Sequence, residues 1–268
     1  MIIGGKRFDE PNHTYIMGIL NVTPDSFSDG GKWNTLDQAL HHTEELIRDG
    51  MDIVDIGGES TRLGYTKISD EEEIERILPI IEGVKSRFDI PVSVDTYKST
   101  VAAAAIKSGA DLINDIWGLQ YDPNMAKVIA ENSVACCLMH NRTNTDYQDF
   151  LTDVLEDLKK TLCIAEKFGI EKEKIMLDPG IGFAKTLEQN LHLTNHLEAL
   201  HSLGYPVLLG TSRKSMIGLT LDLPREEREE GTLATTVLAV MKGCAFVRVH
   251  DVKKNKRAIA MTEAILKA

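Results

Sequence analysis

The sequence predicts a single α/β domain, a (β/α)8 TIM barrel, over residues 1–268, with residues 1–14 as a lead-in. Three observations carry this. A unit of short apolar strand, polar loop and helix recurs eight times with no linker-like stretch between units. The strands are near-continuous apolar runs, as expected of a parallel sheet buried on both faces. Eight such units in 268 residues match a closed barrel. A doubly wound open sheet is the competing arrangement, but its Gly-x-Gly-x-x-Gly turn is absent after the first strand.

Residues 1–14 contain Gly4-Gly5 and Pro11 and suit a small hairpin. The first strand, Tyr15–Leu20, runs into a loop at 21–31 that is dense in hydroxyls and carboxylates and ends in two glycines, so it should be mobile. A helix over Thr35–Arg48 follows, with Leu36, Ala39, Leu40, Leu46 and Ile47 as its apolar face. Strand two, Ile53–Ile56, opens into a Gly-Gly-Glu-Ser-Thr-Arg loop. The acidic run Ser69–Glu73 starts a helix towards Arg87, which Pro79 should bend or break. Strand three is Pro91–Val94, ending in Asp95, and an Ala-rich helix covers Ser99–Ser108. Strand four, Asp111–Ile113, ends in Asn114-Asp115, and a helix near Pro123–Glu131 leads to strand five, Val134–Met139. After an amphipathic helix over Thr152–Phe168, strand six, Ile175–Leu177, stops at Asp178-Pro179-Gly180. The next helix begins at Thr186, a good N-cap, and runs through about Ser202. Its His192 and His196 lie at i, i+4 but lack the Glu of a metalloprotease motif, and read as a solvated face. Strand seven is Pro206–Leu209; Arg225–Glu230 reads as an exposed helix start, and Thr235–Met241 as packed helix. Strand eight is Phe246–Val249, and a helix over Lys253–Leu266 closes the chain.

A net charge of -11 argues against non-specific nucleic-acid binding. No apolar run is long enough to span a bilayer and no positive-then-apolar leader precedes the first strand, which points to the cytoplasm. Cys136, Cys137, Cys163 and Cys244 form no C-x-x-C pair and read as buried thiols in a reducing compartment.

In such barrels the chemistry gathers at the carboxyl ends of the strands. Asn21, Asp95, Asn114, Asp178, Lys214, Arg248 and His250 should therefore converge on one mouth. Each alone could serve a turn; polar groups at nearly every strand end are harder to explain that way. Asp95, Asn114 and Asp178 suit a planar, nitrogen-rich heterocycle, because a carboxylate accepts two parallel N–H bonds. Arg62, Arg213, Lys214, Arg248 and His250 imply an anionic substrate in an otherwise acidic chain. Barrels often bind phosphate on the loops after strands seven and eight. Here those loops carry Ser212-Arg213-Lys214-Ser215 and Arg248-Val249-His250, with Ser215 at a helix start.

The stretches NVTPDSFSDGG (21–31), DIGGESTR (55–62), SVDTYK (93–98), NDI (114–116), MH (139–140), DPGIGFAK (178–185), GTSRKS (210–215) and RVHDV (248–252) occur in this order. With them the chain resembles the dihydropteroate synthases over essentially its whole length. The resemblance implies a barrel, usually dimeric, that joins 6-hydroxymethyl-7,8-dihydropterin diphosphate to p-aminobenzoate and releases pyrophosphate. It implies that Asp95, Asn114 and Asp178 hold the pterin with Lys214, and that Arg248 and His250 bind the diphosphate. Asn21 would ligate a Mg²⁺ that touches the diphosphate. Thr61, Arg62, Phe183, Lys214 and Ser215 would form the p-aminobenzoate site. The catalytic set would be Asp95, Lys214, Arg248 and His250, acting through a dissociative step. Leu63 stands where the family usually has proline, so φ is unconstrained there and p-aminobenzoate and sulfonamide affinity should respond. Two other readings use the same barrel: a methyltetrahydrofolate-dependent methyltransferase, which would not need the diphosphate set, and a pterin-binding homologue without catalysis.

Overall fold

The computed structural model describes residues 1–22, 32–59 and 67–268. The antiparallel hairpin β1 (Ile2–Ile3) and β2 (Lys6–Arg7) forms the expected lead-in. The first four barrel units are β3 (Tyr15–Asn21) and α1 (Lys32–Arg48), β4 (Ile53–Gly57) and α2 (Asp70–Arg87), β5 (Val92–Asp95) and α3 (Ser99–Lys107), and β6 (Leu112–Asp115) and α4 (Met125–Asn132). There follow β7 (Ala135–Met139) and α5 (Phe150–Lys167), β8 (Ile175–Asp178) and α6 (Leu187–Asn195), β9 (Leu208–Leu209) with α7 (Ser215–Leu221) and α8 (Glu229–Met241), and β10 (Phe246–Val249) with α9 (Val252–Lys267). The eight strands from β3 onward pair in parallel in the order β8-β7-β6-β5-β4-β3-β10-β9. A parallel bridge between Leu177 and Val207 joins the two ends of that sheet, so the expected eight-stranded barrel is what forms.

Side chains on a strand alternate between faces, and neighbours across a ladder share one. The register aligns Met17 with Ile53, Asp55 with Ser93, Asp95 with Asn114, Cys137 with Met176, Met139 with Asp178, and Phe246 with Leu208. The inward face is thus apolar at the amino ends, where Met17, Ile53, Leu112, Ala135, Cys137, Met176, Leu208 and Phe246 pack with Ile3 and Phe8 of the lead-in. Two residues further along β4, β6, β8 and β10 the same face turns polar, at Asp55, Asn114, Asp178 and Arg248. The outward face packs into the larger core against the helices.

Several strands are longer than their apolar runs. Asn21, Gly57, Asp95, Asn114, Asp115 and Asp178 all belong to ladders, not loops. Each apolar run ends at a polar residue or glycine, but pairing continues; Asp95, Asn114 and Asp178 turn into the mouth, whereas Asp115 faces the other way and accepts from the Trp117 and Leu119 N–H groups. Pro79 does not break α2, which is continuous from Asp70 to Arg87. Burial of Ile77, Ile80, Ile81 and Val84 outweighs the one lost N–H donor. Ser69 caps that helix by accepting from the Glu72 N–H at 3.1 Å. Thr186 and Gln189 form a reciprocal cap at the start of α6. That helix ends at Asn195, before the expected Ser202, and continues as a 3-10 segment over Leu197–Leu203. Arg225–Glu227 is a 3-10 turn ahead of α8. Cys136, Cys137 and Cys244 are buried, whereas Cys163 is exposed on α5. No helix among the described residues is long and apolar enough to cross a membrane.

Candidate active site

The polar layer is organised around Arg248. Its Nε donates to Asp55 Oδ2 at 2.6 Å and its Nη2 to Asp95 Oδ2 at 2.8 Å. Burial opposes the guanidinium charge, but the two carboxylates outweigh it and raise the Arg248 pKa further. Asp55 also accepts from Ser93 Oγ at 2.5 Å and from Asn114 Nδ2 at 3.3 Å. Asp95 keeps one oxygen for something else. Its Oδ1 is buried and has no hydrogen-bond partner among the described residues. Burial pushes this carboxyl well above the usual carboxylate range, and Arg248 only partly offsets that. A buried acceptor without a donor is costly, so a ligand N–H aimed at it would be favoured.

Asp178 lies across the mouth, at the end of β8. Its Oδ1 accepts from the Gly180 N–H at 2.7 Å. Gly180 has φ +72°, and a Cβ there would sit 1.9 Å from the His140 carbonyl oxygen, so only glycine fits this turn. Burial raises the Asp178 pKa, with Lys214 the main opposing charge. Lys214 is itself pushed down to about 8 by burial, against the pull of Asp178. Its ammonium donates to the Ile181 carbonyl and lies 4.8 Å from the centre of the Phe183 ring. A Cβ at Gly210 would come within 3.4 Å of Asp178 Oδ2 and 3.9 Å of Lys214 Nζ; a bare backbone here keeps the space between them open. Phe183 packs beside Tyr97, Ile116, Met139 and Trp117, an apolar wall for a flat ring.

His250 follows β10 and is tied to the loop after β9. Ser212 Oγ lies 2.9 Å from its Nδ1 and accepts from its backbone N–H at 3.2 Å. Ser215 is the first residue of α7 and is exposed. Arg213, at φ +57°, donates its backbone N–H to Thr232 Oγ1 at 3.1 Å. Asn21 closes β3 opposite Gly57. A Cβ at Gly57 would lie 3.7 Å from Asn21 Oδ1 and 4.0 Å from Asp95 Oδ2, so the glycine leaves room at these oxygens. Thr61, Arg62 and Leu63 lie outside the described residues, as does the loop at 23–31.

The structure thus gathers Asn21, Asp95, Asn114, Asp178, Lys214, Phe183, Arg248 and His250 at one end of the barrel. It adds Asp55 and Ser93, which strand-end reasoning missed because both lie within strands. A carboxylate inside the apolar run Ile53–Gly57 was the available signal. A second buried group was also missed. Lys98 Nζ bonds Glu59 at 2.7 Å, Glu73 at 2.8 Å and the Ile68 carbonyl at 2.9 Å, and Tyr97 donates to Glu59 at 2.6 Å. This cluster holds Glu59 and Ile68 on either side of residues 60–66. Among the described residues, no group of three or more His, Cys, Asp or Glu side chains could hold a metal ion. The donor at hand for a cation is the Asn21 amide oxygen, a hard ligand of the kind Mg²⁺ accepts when phosphate and water complete its shell.

A carboxylate-lined barrel mouth with an apolar wall and a cationic rim defines a class of heterocycle-binding enzymes, and comparison makes the class definite. The profile of the pterin binding enzymes matches residues 17–250. Curated dihydropteroate synthases from Clostridium beijerinckii and Bacillus subtilis are 60% and 56% identical, covering 100% and 94% of this chain and 100% and 89% of theirs. A solved Clostridium difficile dihydropteroate synthase, determined in the presence of pteroic acid, superposes with a TM-score of 0.95 at 49% identity, over 98% of this chain and 100% of that one. A Xanthomonas albilineans dihydropteroate synthase with 4-aminobenzoic acid gives 0.91 at 41%, over 96% and 94%. The chain belongs to the pterin-binding enzyme family, among the dihydropteroate synthases.

Proposed function

We propose that this chain condenses 6-hydroxymethyl-7,8-dihydropterin diphosphate with p-aminobenzoate, giving 7,8-dihydropteroate and pyrophosphate, a transferase step of folate synthesis. The observation that carries the site assignment is the buried Asp95 Oδ1, which has no hydrogen-bond partner among the described residues, at a barrel end shared with Asn114, Asp178 and Lys214. Asp95, Asn114 and Asp178 hold the N–H edge of the pterin, and Lys214 stands on its carbonyl side. Arg248 has spent two of its five N–H donors on Asp55 and Asp95. The remaining donors, with His250, meet the diphosphate. Asn21 would hold a Mg²⁺, which would supply positive charge towards the departing pyrophosphate, and the Arg248 guanidinium supplies charge to the same end. Bond breaking leaves positive charge on the pterin methylene, which Asp95 and Asp178 stabilise. The arylamine then attacks without a strong base. Phe183, Lys214 and Ser215, with Thr61 and Arg62, form the p-aminobenzoate side of the site.

The protein works as a single-domain enzyme in the cytoplasm, where its thiols stay reduced, and pairs as a homodimer. Leu219 and Leu221 on α7, Met241 on α8, and Met261, Ile265 and Leu266 on α9 are exposed apolar side chains that support such pairing. Light scattering at twice the 29.7 kDa chain mass is the expected result.

The direct test is pyrophosphate release with Mg²⁺ and the dihydropterin diphosphate, with and without p-aminobenzoate. Release that depends on p-aminobenzoate, with dihydropteroate as product, is expected. Tight binding of the diphosphate without turnover would replace this reading with that of a binding-only homologue.

A further inference from the structure

The loop between β8 and α6 is held from beneath by a group that the proposed chemistry does not use. Lys185 turns its ammonium back under its own loop. It donates to the carbonyls of Gly180 at 2.9 Å and Phe183 at 3.0 Å, and its Nζ lies 2.9 Å from His140 Nδ1. Those three acceptors match the three N–H bonds of an ammonium. His140 is buried, at the end of β7, and its Nε2 lies 3.2 Å from Asp157 Oδ2. Asp157, on α5, accepts from Arg142 Nε at 2.5 Å and from Lys160 Nζ at 2.8 Å.

One proton arrangement satisfies the whole row. A neutral His140 donates from Nε2 to the Asp157 carboxylate and accepts from Lys185 at Nδ1. Burial, seconded by the Lys185 charge, pushes His140 down to about 3, in keeping with a neutral ring. The loop needs such support. Gly180, Gly182 and Ala184 have φ of +72°, +85° and +45°, a coiled path that alanine rarely adopts unaided. Further bonds complete the frame. Tyr147 donates to the Ala184 carbonyl at 3.0 Å beneath the Arg142 guanidinium, and the Gly182 N–H reaches Asn190 Oδ1 at 2.6 Å.

We infer that Lys185 is a positioning residue: braced by His140 and Asp157, it fixes the loop 180–184 so that Phe183 stands at the p-aminobenzoate side of the site. This rests on the reading that Phe183 contacts p-aminobenzoate, and the test separates the two claims. Lys185→Met removes all three donors and keeps the length of the stem. The KM for p-aminobenzoate should rise about five- to tenfold. The KM for the pterin diphosphate should rise less, by about two- to threefold, because the loop reaches that side only through the Gly180–Asp178 and Ile181–Lys214 bonds. Amide exchange in residues 179–186 should speed up at least about tenfold, with the strands unchanged. Asp157→Asn, which weakens the far end of the row, should shift both readouts in the same direction by about two- to threefold, and it carries the test if Lys185→Met does not fold. Unchanged loop exchange in a folded variant would overturn the inference. So would an equal rise in both KM values or a loss of protection throughout the barrel, either of which marks a merely structural lysine. Phe183→Ala is the control. If it leaves the p-aminobenzoate KM unchanged, the placement of Phe183 is wrong, and the brace then stands or falls on loop exchange alone.

Discussion

The inside of the barrel holds two layers, and β4, β6, β8 and β10 supply both, two residues apart. The lower one, Met17, Ile53, Leu112, Ala135, Cys137, Met176, Leu208 and Phe246, is apolar and closed from below by Ile3 and Phe8. The upper one, Asp55, Ser93, Asp95, Asn114, Asp178 and Arg248, is charged and also largely out of water. Burial stabilises the fold in the first and opposes it in the second. The Asp95 and Asp178 carboxyls are raised and the Lys214 ammonium lowered, which are the shifts that desolvation produces. The lower layer is therefore a device for stability. The upper layer holds charges at a cost, ready for a ligand.

Arg248→Met should do the most damage. It strands Asp55 and Asp95 together, and should cost about 3–5 kcal/mol of stability, read by urea unfolding. Pyrophosphate release should fall by about 10³-fold. A stable, active variant would mean that the upper layer does not depend on this ion pair. Phe246→Ala breaks the other layer. A fully buried ring is lost, so stability should drop by about 3–5 kcal/mol. Both KM values should stay within about twofold where the protein remains folded. A changed KM would show that the layers are coupled.

Asp95→Asn probes the chemistry alone. The chemical step, followed in single turnovers, should slow by about 10²-fold while pterin affinity changes less than about threefold. Equal losses in both would remove the case for charge stabilisation at the methylene. The smallest change in stability is expected from Lys214→Met, a gain of about 1 kcal/mol at pH 7. The sign follows from the depressed pKa. Between about 8 and the ordinary value of 10.5, the native state binds fewer protons than the unfolded chain. Wild-type stability therefore rises with pH across that window, and the advantage of Lys214→Met shrinks there. A difference that is the same at pH 7 and pH 10 would show that the buried ammonium carries no such cost.

The element order was legible because buried parallel strands and amphipathic helices leave distinct periods in a chain. Strand eight, Phe246–Val249, coincides with β10, and the capping sequence at Thr186 forms as read. The strand-end polar residues were legible for a related reason: a barrel of this type has one functional end, so position along a strand implies proximity in space. The errors share a cause. An apolar run ends before Asn114 and Asp178, although the ladders include both, and attention to strand ends passes over Asp55, which lies inside its run. Whether a carboxylate leaves a ladder or turns into the mouth depends on a cation from a distant strand, here Arg248, 193 residues after Asp55. The brace under Phe183 was equally hidden, because Lys185 and His140 lie 45 residues apart and meet only when β7 and β8 pair. The sequence by itself determined the periodic pattern and the chemical types at each strand end. Only the tertiary structure decided which charges face one another, because buried electrostatics depends on distances of a few ångströms that no local pattern encodes.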